Sequence, residues 1–275
     1  MNSKDIKFYH SGGGSNCDPM KDLGGARSSC EMTEGLAGLF NTLSPKKSRW
    51  GGIDYRCFYV KNTHPDETLR NAKFYVDWER KSGSFIDVGV KRVTEIQKVH
   101  IQGTKPPNEN DFFTLHLDEY DDDWRVDYHI NITEWQGRFQ TAMRAVDGLQ
   151  DVIIEVAGSI GFPTDVVFTV KFVGKAENHK LSLMTVTTNS LDGQTIDISE
   201  VKDGSPINIE ACEIQKIDQA PACVSFDYPL RGSPIELGDM RPGDEFPVWV
   251  RRTTPKNTRI HIIDKVRFNV DGTFP

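Results

Sequence analysis

Apolar and polar residues alternate with a period of two through much of the first third of the chain. In Lys73–Trp78, for example, Phe74, Val76 and Trp78 alternate with more polar residues. Tyr55–Val60 is instead almost wholly apolar, as a strand buried on both faces would be. The segments between these runs are rich in Gly, Pro, Asn, Asp and Ser. Short strands separated by such turns predict an antiparallel β-sandwich.

The last third of the chain returns to the same pattern. Strands are predicted at residues 224–226, 246–252, 260–263 and 266–270, with Pro242-Gly243-Asp244 and Pro255-Lys256-Asn257 as turns. We expect these strands to complete the sheets that begin before residue 95.

The middle of the chain has a different pattern. Trp135, Phe139, Ala142, Met143 and Val146 form one stripe of a 3.6-residue period, which predicts an amphipathic helix. Thr133 with Gln136 matches a capping box at its start, and Gly148 suits its end. Strands are predicted around it at residues 111–117, 124–132, 152–156, 166–172 and 181–187. One helix on about five strands predicts a compact α+β module.

A second, shorter helix is predicted near the start of the chain. Leu36, Leu39, Phe40 and Leu43 fall at helical spacing, and Pro45 should end the pattern.

One short phrase occurs twice, as Glu95-Ile96-Gln97-Lys98-Val99 and as Glu213-Ile214-Gln215-Lys216-Ile217. The recurrence on either side of an autonomous segment indicates a module inserted into a strand of a host domain. The chain is therefore predicted to be mainly β, with a discontinuous antiparallel β-sandwich host at 1–98 and 213–275 and an inserted α+β module at 99–212.

Composition and charge exclude several classes of function. The 275 residues are 37% hydrophobic and 27% charged, which is typical of globular proteins. A formal charge of −7 without a basic tract argues against nucleic acid as a partner. No apolar run reaches the roughly 20 residues that span a bilayer, so no membrane partner is expected. The start lacks a secretion signal, which predicts synthesis in a cytosol.

No motif predicts catalysis, a cofactor or a metal site. His10-Ser11-Gly12-Gly13-Gly14 superficially resembles an esterase oxyanion loop, but no nucleophile elbow accompanies it. Asp118–Asp123 lacks EF-hand spacing, so a solvated hairpin tip is the better interpretation than a calcium site. The histidines are scattered. We therefore expect neither an enzyme nor a cofactor-binding protein.

The candidate functional residues are contacts for assembly. Gly12, Gly13, Gly14 and Asp18 lie in a Gly-rich N-terminal arm that is expected to be flexible and to reach a neighbouring subunit. Arg251 and Arg252 end a predicted strand, where they fit either an intersubunit contact or a solvent-facing strand end.

The five cysteines show no zinc-binding spacing. Cys57 lies in an apolar run and is interpreted as a buried thiol. Cys17, Cys30, Cys212 and Cys223 lie among Gly, Ser, Pro and Asp, where exposure is expected. A reducing cytosol would keep them as thiols, and release from the cell would allow disulfides within or between subunits.

Several phrases of the host part resemble a family of small structural proteins of tailed bacteriophages. At the N-terminal end these are residues 7–13 (KFYHSGG), 16–19 (NCDP), 23–29 (LGGARSS) and 55–64 (YRCFYVKNTH). Near the C-terminal end they are residues 237–243 (LGDMRPG) and 248–253 (VWVRRT).

The insert separately resembles a repeat module of phage virion and fibre proteins, in residues 95–99, 113–115, 139–146, 152–158 and 167–172. It departs from that pattern where charged stretches such as Asp118–Asp123 replace Gly/Thr-rich linkers. Cys17, Cys30, Cys212 and Cys223 stand where the families have small residues, which favours disulfide reinforcement.

The resemblance implies a structural component of a tailed-phage virion in the head, neck or collar, or tail. Its partners would be other virion proteins and copies of itself, and it would be made in the bacterial cytoplasm and end in the virion. The alternative is a displayed module that binds a receptor or host-surface glycan, with Tyr120, Trp124 and Tyr128 stacking on sugar rings. A particle-borne hydrolase has little support, because no carboxylate pair or nucleophile–base pair is visible.

Overall fold

A computed structural model describes residues 5–32, 39–80, 83–177, 180–222, 224–259 and 265–273. The fold is mainly β, with 46% of residues in strands and 10% in helices. The chain forms two compact units, which we call the host unit (residues 1–92 and 206–275) and the inserted unit (residues 93–205). The unit boundaries fall six and seven residues before the positions predicted from the repeated phrase.

The described elements, in chain order, are β1 (Ile6–His10), α1 (Pro45–Trp50), β2 (Gly52–Asn62), β3 (Leu69–Arg80), β4 (Phe85–Lys91), β5 (Glu95–Gly103), β6 (Phe112–His116), β7 (Trp124–Asp127), α2 (Ile132–Arg144), β8 (Ile153–Ser159), β9 (Thr164–Phe172), β10 (Thr185–Asn189), β11 (Gln194–Lys202), β12 (Val224–Asp227), β13 (Ile235–Met240), β14 (Glu245–Thr254) and β15 (Lys265–Thr273). Most predicted strands lie inside or overlap these ranges. The predicted strand at 260–263 falls entirely outside the described residues.

The host unit contains two antiparallel sheets, in the orders β1-β2-β14-β4-β12 and β13-β3-β15. Phe58 on β2 lies 5.2 Å, between ring centroids, from Phe268 on β15, and 6.1 Å from Phe74 on β3. Val248 and Val250 on β14 join the same buried cluster. Residues from both ends of the chain therefore share one hydrophobic interior between the two sheets.

Strand β2 is buried on both faces, as its continuous apolar run predicts. Phe58 and Val60 face the interior between the sheets. Cys57 and Tyr59 face the opposite side, where they form a second cluster with Trp249 and Ile214. The outer face is thus covered by residues that follow the inserted unit in sequence.

The predicted helix over residues 36–43 is wrong where the structure describes it. Residues 39–43 are not helical, and Leu36 lies outside the described residues. The helix begins at Pro45, the residue predicted to stop it, because the Ser44 hydroxyl caps the Lys47 N–H at 3.2 Å. Proline suits the first turn of a helix, where its missing N–H has no acceptor to lose.

The inserted unit has one core enclosed by two sheets and a helix. The sheet orders are β11-β5-β9-β8 and β10-β6-β7, and α2 packs against β7 and β8. Trp135 and Phe139 on α2 contact Phe168 on β9 edge-on, with centroids 5.1 and 5.3 Å apart. The unit has seven strands instead of about five. Its helix is capped by Asn131, not by Thr133, and begins three residues before the predicted stripe.

The two copies of the repeated phrase occupy different structures. Glu95 and Gln97 lie on β5 of the inserted unit and are buried. The Glu95 carboxylate accepts the N–H group of Leu181 at 2.7 Å. The second copy lies in a loop of the host unit, where the Ile214 N–H donates to Leu23 (2.9 Å). The inference that both copies belong to host strands is therefore wrong, because one phrase meets different partners in the two units.

Candidate functional site

The Gly-rich N-terminal segment is part of the host unit, not a free arm. β1 pairs with β2 from Ile6↔Asn62 to His10↔Phe58. The loop that follows is held by backbone bonds, with the Gly12 N–H donating to Gly24 at 2.9 Å and the Gly13 N–H donating to Ala26 at 2.8 Å. Gly12, Gly13 and Gly14 have φ of 85°, 69° and 53°, a region that glycine enters at low energy. The glycines close a loop instead of supplying flexibility.

A disulfide joins Cys17 to Cys30 across this loop, with Cα atoms 5.4 Å apart. Cys223 lies outside the described residues, so a role for it and Cys212 in a disulfide stays a prediction. Cys57 is fully buried, and burial raises the pKa of its thiol well above the usual value, as expected for an inert core cysteine.

Asp18 has a local structural role. Its carboxylate accepts the Met20 N–H at 2.9 Å and caps the single turn Pro19–Lys21. Asp22 follows this turn directly and is buried in the interior of the host unit. The assembly role of Asp18 stays a prediction.

A buried pair, His10 and Asp22, fastens the loop to the sheet. His10 Nδ1 lies 2.7 Å from Asp22 Oδ2, and Asn16 Nδ2 donates to Asp22 Oδ1 at 3.1 Å. The Asp22 carbonyl also accepts the Cys57 N–H of β2 at 2.9 Å. Burial raises the pKa of Asp22 to about 6, although His10 and Arg56 oppose the shift.

Arg251 and Arg252 occupy opposite faces of β14, because successive strand residues alternate. Arg251 is half-exposed, and its Nε and Nη2 donate to Asp87 Oδ2 at 2.9 and 2.8 Å. Arg252 is 7% exposed and donates from Nη2 to Asp54 Oδ2 at 2.9 Å. Both interpretations of Arg252 as a surface residue are therefore wrong.

Asp54 forms ion pairs with more than one cation at one end of the interior. Lys47 Nζ also bonds to it, and the ring of Phe40 lies 4.5 Å from the Arg252 guanidinium and 5.9 Å from that of Arg56. The Arg56 side chain is fully buried and donates to the Tyr55 carbonyl at 2.9 Å. Within the described part of the chain, its Nε has no hydrogen-bond partner.

Burial is the main reason that the pKa of Arg56 falls to about 10, and the neighbouring Arg252 lowers it further. Burial also lowers the pKa of Lys47. Lys47 and Arg252 thus share the buried carboxylate of Asp54, and Arg56 lies close to Arg252 and to a second buried carboxylate, Asp22. The only sign of this group in the sequence is the placing of Asp54 and Arg56 two positions apart in an otherwise apolar strand.

A surface rich in positive charge lies where α1 meets the turn 255–258. We call it the basic surface and define it by Lys46, Arg49, Trp50 and Lys256, all exposed. The Asn257 N–H donates to the Arg49 carbonyl at 3.3 Å, which joins the helix to the turn. The Arg49 guanidinium lies 5.1 Å from the Trp50 ring centroid, and Trp50 is 59% exposed.

The acidic turn, Asp118–Asp123, is the exposed hairpin tip between β6 and β7 that its composition predicts. Glu119 accepts the Ser182 N–H and hydroxyl at 2.7 and 2.9 Å, and Asp123 lies 2.8 Å from His116 Nδ1. Asp121 and Asp122 are exposed and have no side-chain partner among the described residues. The turn is held at both ends and offers its central carboxylates to solvent.

The aromatic face predicted to stack on sugars does not exist. Trp124 and Tyr128 are 3% and 2% exposed, because they point into the core of the inserted unit. Tyr120 is partly buried and packs on the same core, beside Gly148. The glycan-binding alternative therefore loses the residues on which it was based.

Within the described ranges, no cluster of three or more His, Cys, Asp and Glu side chains is arranged to hold a metal ion. In the same ranges no helix has the length and apolar character that crossing a bilayer needs. A scan against protein-family models finds no match to this chain, and neither does a search of curated proteins.

Proposed function

We propose that this chain is a structural component of a tailed-phage virion, in the head, the neck or collar, or the tail. It acts without catalysis, through contacts with other virion proteins and with copies of itself. The bacterial cytoplasm is its site of synthesis and the virion its final location.

The observation that carries the proposal is the place of the resembling phrases in the fold. Residues 7–10 of the first phrase, 55–62 of the next and 248–253 lie on the adjacent strands β1, β2 and β14. Residues 16–19 and 23–29 form the loop that the His10–Asp22 pair fastens to β2. Phrases from both ends of the chain therefore make one continuous piece of structure, as a resemblance to a single domain requires.

Two further contacts bind this piece together. Arg27 Nε donates to Glu245 at the start of β14 at 2.5 Å, and the Tyr59 hydroxyl donates to the Gly25 carbonyl at 2.6 Å. A loop fixed by a disulfide, a buried pair and such bonds is a rigid surface. Rigid surfaces suit repeated contacts in a ring or lattice, where many weak interfaces act together.

The test is the presence of the chain in purified particles. Particles from a lysate are banded on a density gradient, analysed by mass spectrometry and labelled with an antibody to this chain for electron microscopy. We expect the chain at a fixed ratio to the major capsid protein and the label at one place on the particle. A chain that stays in the soluble fraction, with none in the particle band, contradicts the proposal.

A further inference from the structure

The two units carry opposite formal charges. The inserted unit has 19 Asp and Glu residues against 9 Lys and Arg, whereas the host unit has 21 against 24. With His neutral, the formal charges are −10 and +3. Solubility alone would not require the negative charge to lie in one unit and the positive charge in the other. Complementary charges on different surfaces steer proteins into association.

The basic surface has the chemistry of a contact for an acidic partner. Lys46, Arg49 and Lys256 present cations, and Trp50 adds an exposed aromatic ring held beside Arg49. Tryptophan and arginine are the residues most enriched at the energetic centres of protein interfaces.

Further cations lie in the interior next to this surface. Lys47 belongs to α1 itself, and it shares the carboxylate of Asp54 with Arg252. Arg56 adds a third cation, which lies close to Arg252 and to the buried carboxylate of Asp22. The interior of the host unit therefore holds these charges at fixed positions beside α1.

The acidic turn has matching properties. The side chain of Asp118 is 78% exposed, and Asp121 and Asp122 are exposed beside it. Asp147, with a side chain 92% exposed, adds a carboxylate close enough to raise the pKa of Tyr120. Because Glu119 and Asp123 are bonded to neighbouring segments, the turn needs little further ordering to bind.

We propose that the basic surface of one copy of this chain binds the acidic turn of a second copy, so that copies associate head to tail. The inference deepens the proposed role in assembly and rests on it. Because the two surfaces differ, the contact is heterologous, and its repetition gives a closed ring or an open row of subunits.

A charge-swap experiment tests the contact. One variant reverses the basic surface (Lys46→Glu with Arg49→Glu), and the other reverses the acidic turn (Asp121→Lys with Asp122→Lys). A control variant, Lys98→Glu with Lys216→Glu, changes the net charge as much as the first variant at exposed positions elsewhere. Association constants are measured by sedimentation velocity over a concentration series at low salt, and circular dichroism confirms that each variant is folded.

We expect each reversed variant alone to associate at least about tenfold more weakly than the original chain, because like charges then face each other. A one-to-one mixture of the two should regain association, since every contact in it pairs opposite charges. The control should associate like the original chain. Raising salt to about 0.5 M should weaken the original contact, because exposed charges are then screened.

Three results would overturn the inference: an original chain that stays monomeric up to about 1 mM, reversed variants that associate unchanged, or a mixture that regains nothing. The second result would also reveal a basic surface that contacts the acidic turn of its own chain. Breaking such an internal contact leaves the association between chains unchanged. The particle test is separate. If the chain is absent from particles but the mixture of the two variants regains association, only the proposed function is refuted. If the chain is present in particles but the mixture regains nothing, only this contact is refuted.

Discussion

His10 Nδ1 and Asp22 Oδ2 lie 2.7 Å apart in the interior of the host unit, and both residues are almost completely buried. They join the first strand to the loop that covers β2. The raised pKa of Asp22 makes the stability of the host unit depend on pH in a direction opposite to that of most carboxylates.

We expect Asp22→Asn to reduce the loss of host-unit stability between about pH 4 and pH 7. Burial raises the pKa of Asp22 from 3.8 to about 6, so the folded state binds a proton more tightly than the unfolded state. The contribution is therefore present at low pH and is lost as pH rises through 6, by at most about 3 kcal/mol.

The measurement is urea unfolding of both proteins at several pH values, with the difference between them plotted against pH. The difference cancels the titration of other groups. A difference that stays flat from pH 4 to 7 contradicts the raised pKa of Asp22.

Gly24→Ala should destabilise the host unit strongly. A Cβ atom at this position would lie 2.0 Å from the Cys212 carbonyl oxygen and 2.9 Å from the Trp249 ring, and the φ of Gly24 is 90°. We expect a loss of about 3 kcal/mol or more in the free energy of unfolding. Gly14→Ala is the matched control, because its Cβ meets nothing within 4 Å and only the positive φ opposes it. Equal losses in the two variants, measured by urea unfolding, would rule out the close contact at Gly24.

Asp54→Ala should lower the free energy of unfolding of the host unit by about 3–5 kcal/mol, because Arg252 and Lys47 then lose the buried carboxylate that they share. The comparison is Asp87→Ala, which removes the partner of Arg251 on the half-exposed face and should lose under about 1 kcal/mol. Thermal unfolding of both variants checks the order. A loss at Asp87 that matches or exceeds the loss at Asp54 would contradict the assigned burial.

Tyr128→Phe should leave the stability of the inserted unit unchanged or raise it by up to about 1 kcal/mol. The Tyr128 hydroxyl is buried and has no partner among the described residues, so its removal relieves an unsatisfied polar group. Tyr59→Phe in the host unit is the contrast, because that hydroxyl donates to Gly25 and accepts from Ala211 at 2.9 Å. We expect a loss of about 1–3 kcal/mol there. Calorimetry of each protein gives the two values, and a large loss at Tyr128 would reveal a partner for its hydroxyl.

Periodicity in the sequence predicted most of the strands and α2, because each of these reflects burial of one face of a single element, but it did not predict β1, β11 or β13. The phrase on β2, apolar on both sides, even indicated a central strand. The cap at Asn131 was missed because Thr133 and Gln136 also match a capping pattern. Only the backbone path into the helix shows that Asn131, and not Thr133, is the N-cap.

The polar contacts of the candidate site could not be read in this way. Asp54 and Arg252 are 198 residues apart and meet only through the register of β2 and β14. The same register decides that Arg251 faces outward and Arg252 inward, which neighbouring identical residues cannot reveal. The glycines of the N-terminal loop fit a flexible arm and a closed turn equally well until their backbone partners are known.

The pairing of Ile96 on β5 with Lys202 on β11 brings the entrance and the exit of residues 93–205 together. A segment whose two ends meet can be removed or exchanged with little disturbance to the chain around it, since a short bridge suffices to close the gap. Genes that encode such a segment can acquire, lose or replace it in one recombination event. The sheets of the host unit can then be retained while the inserted unit changes between related chains.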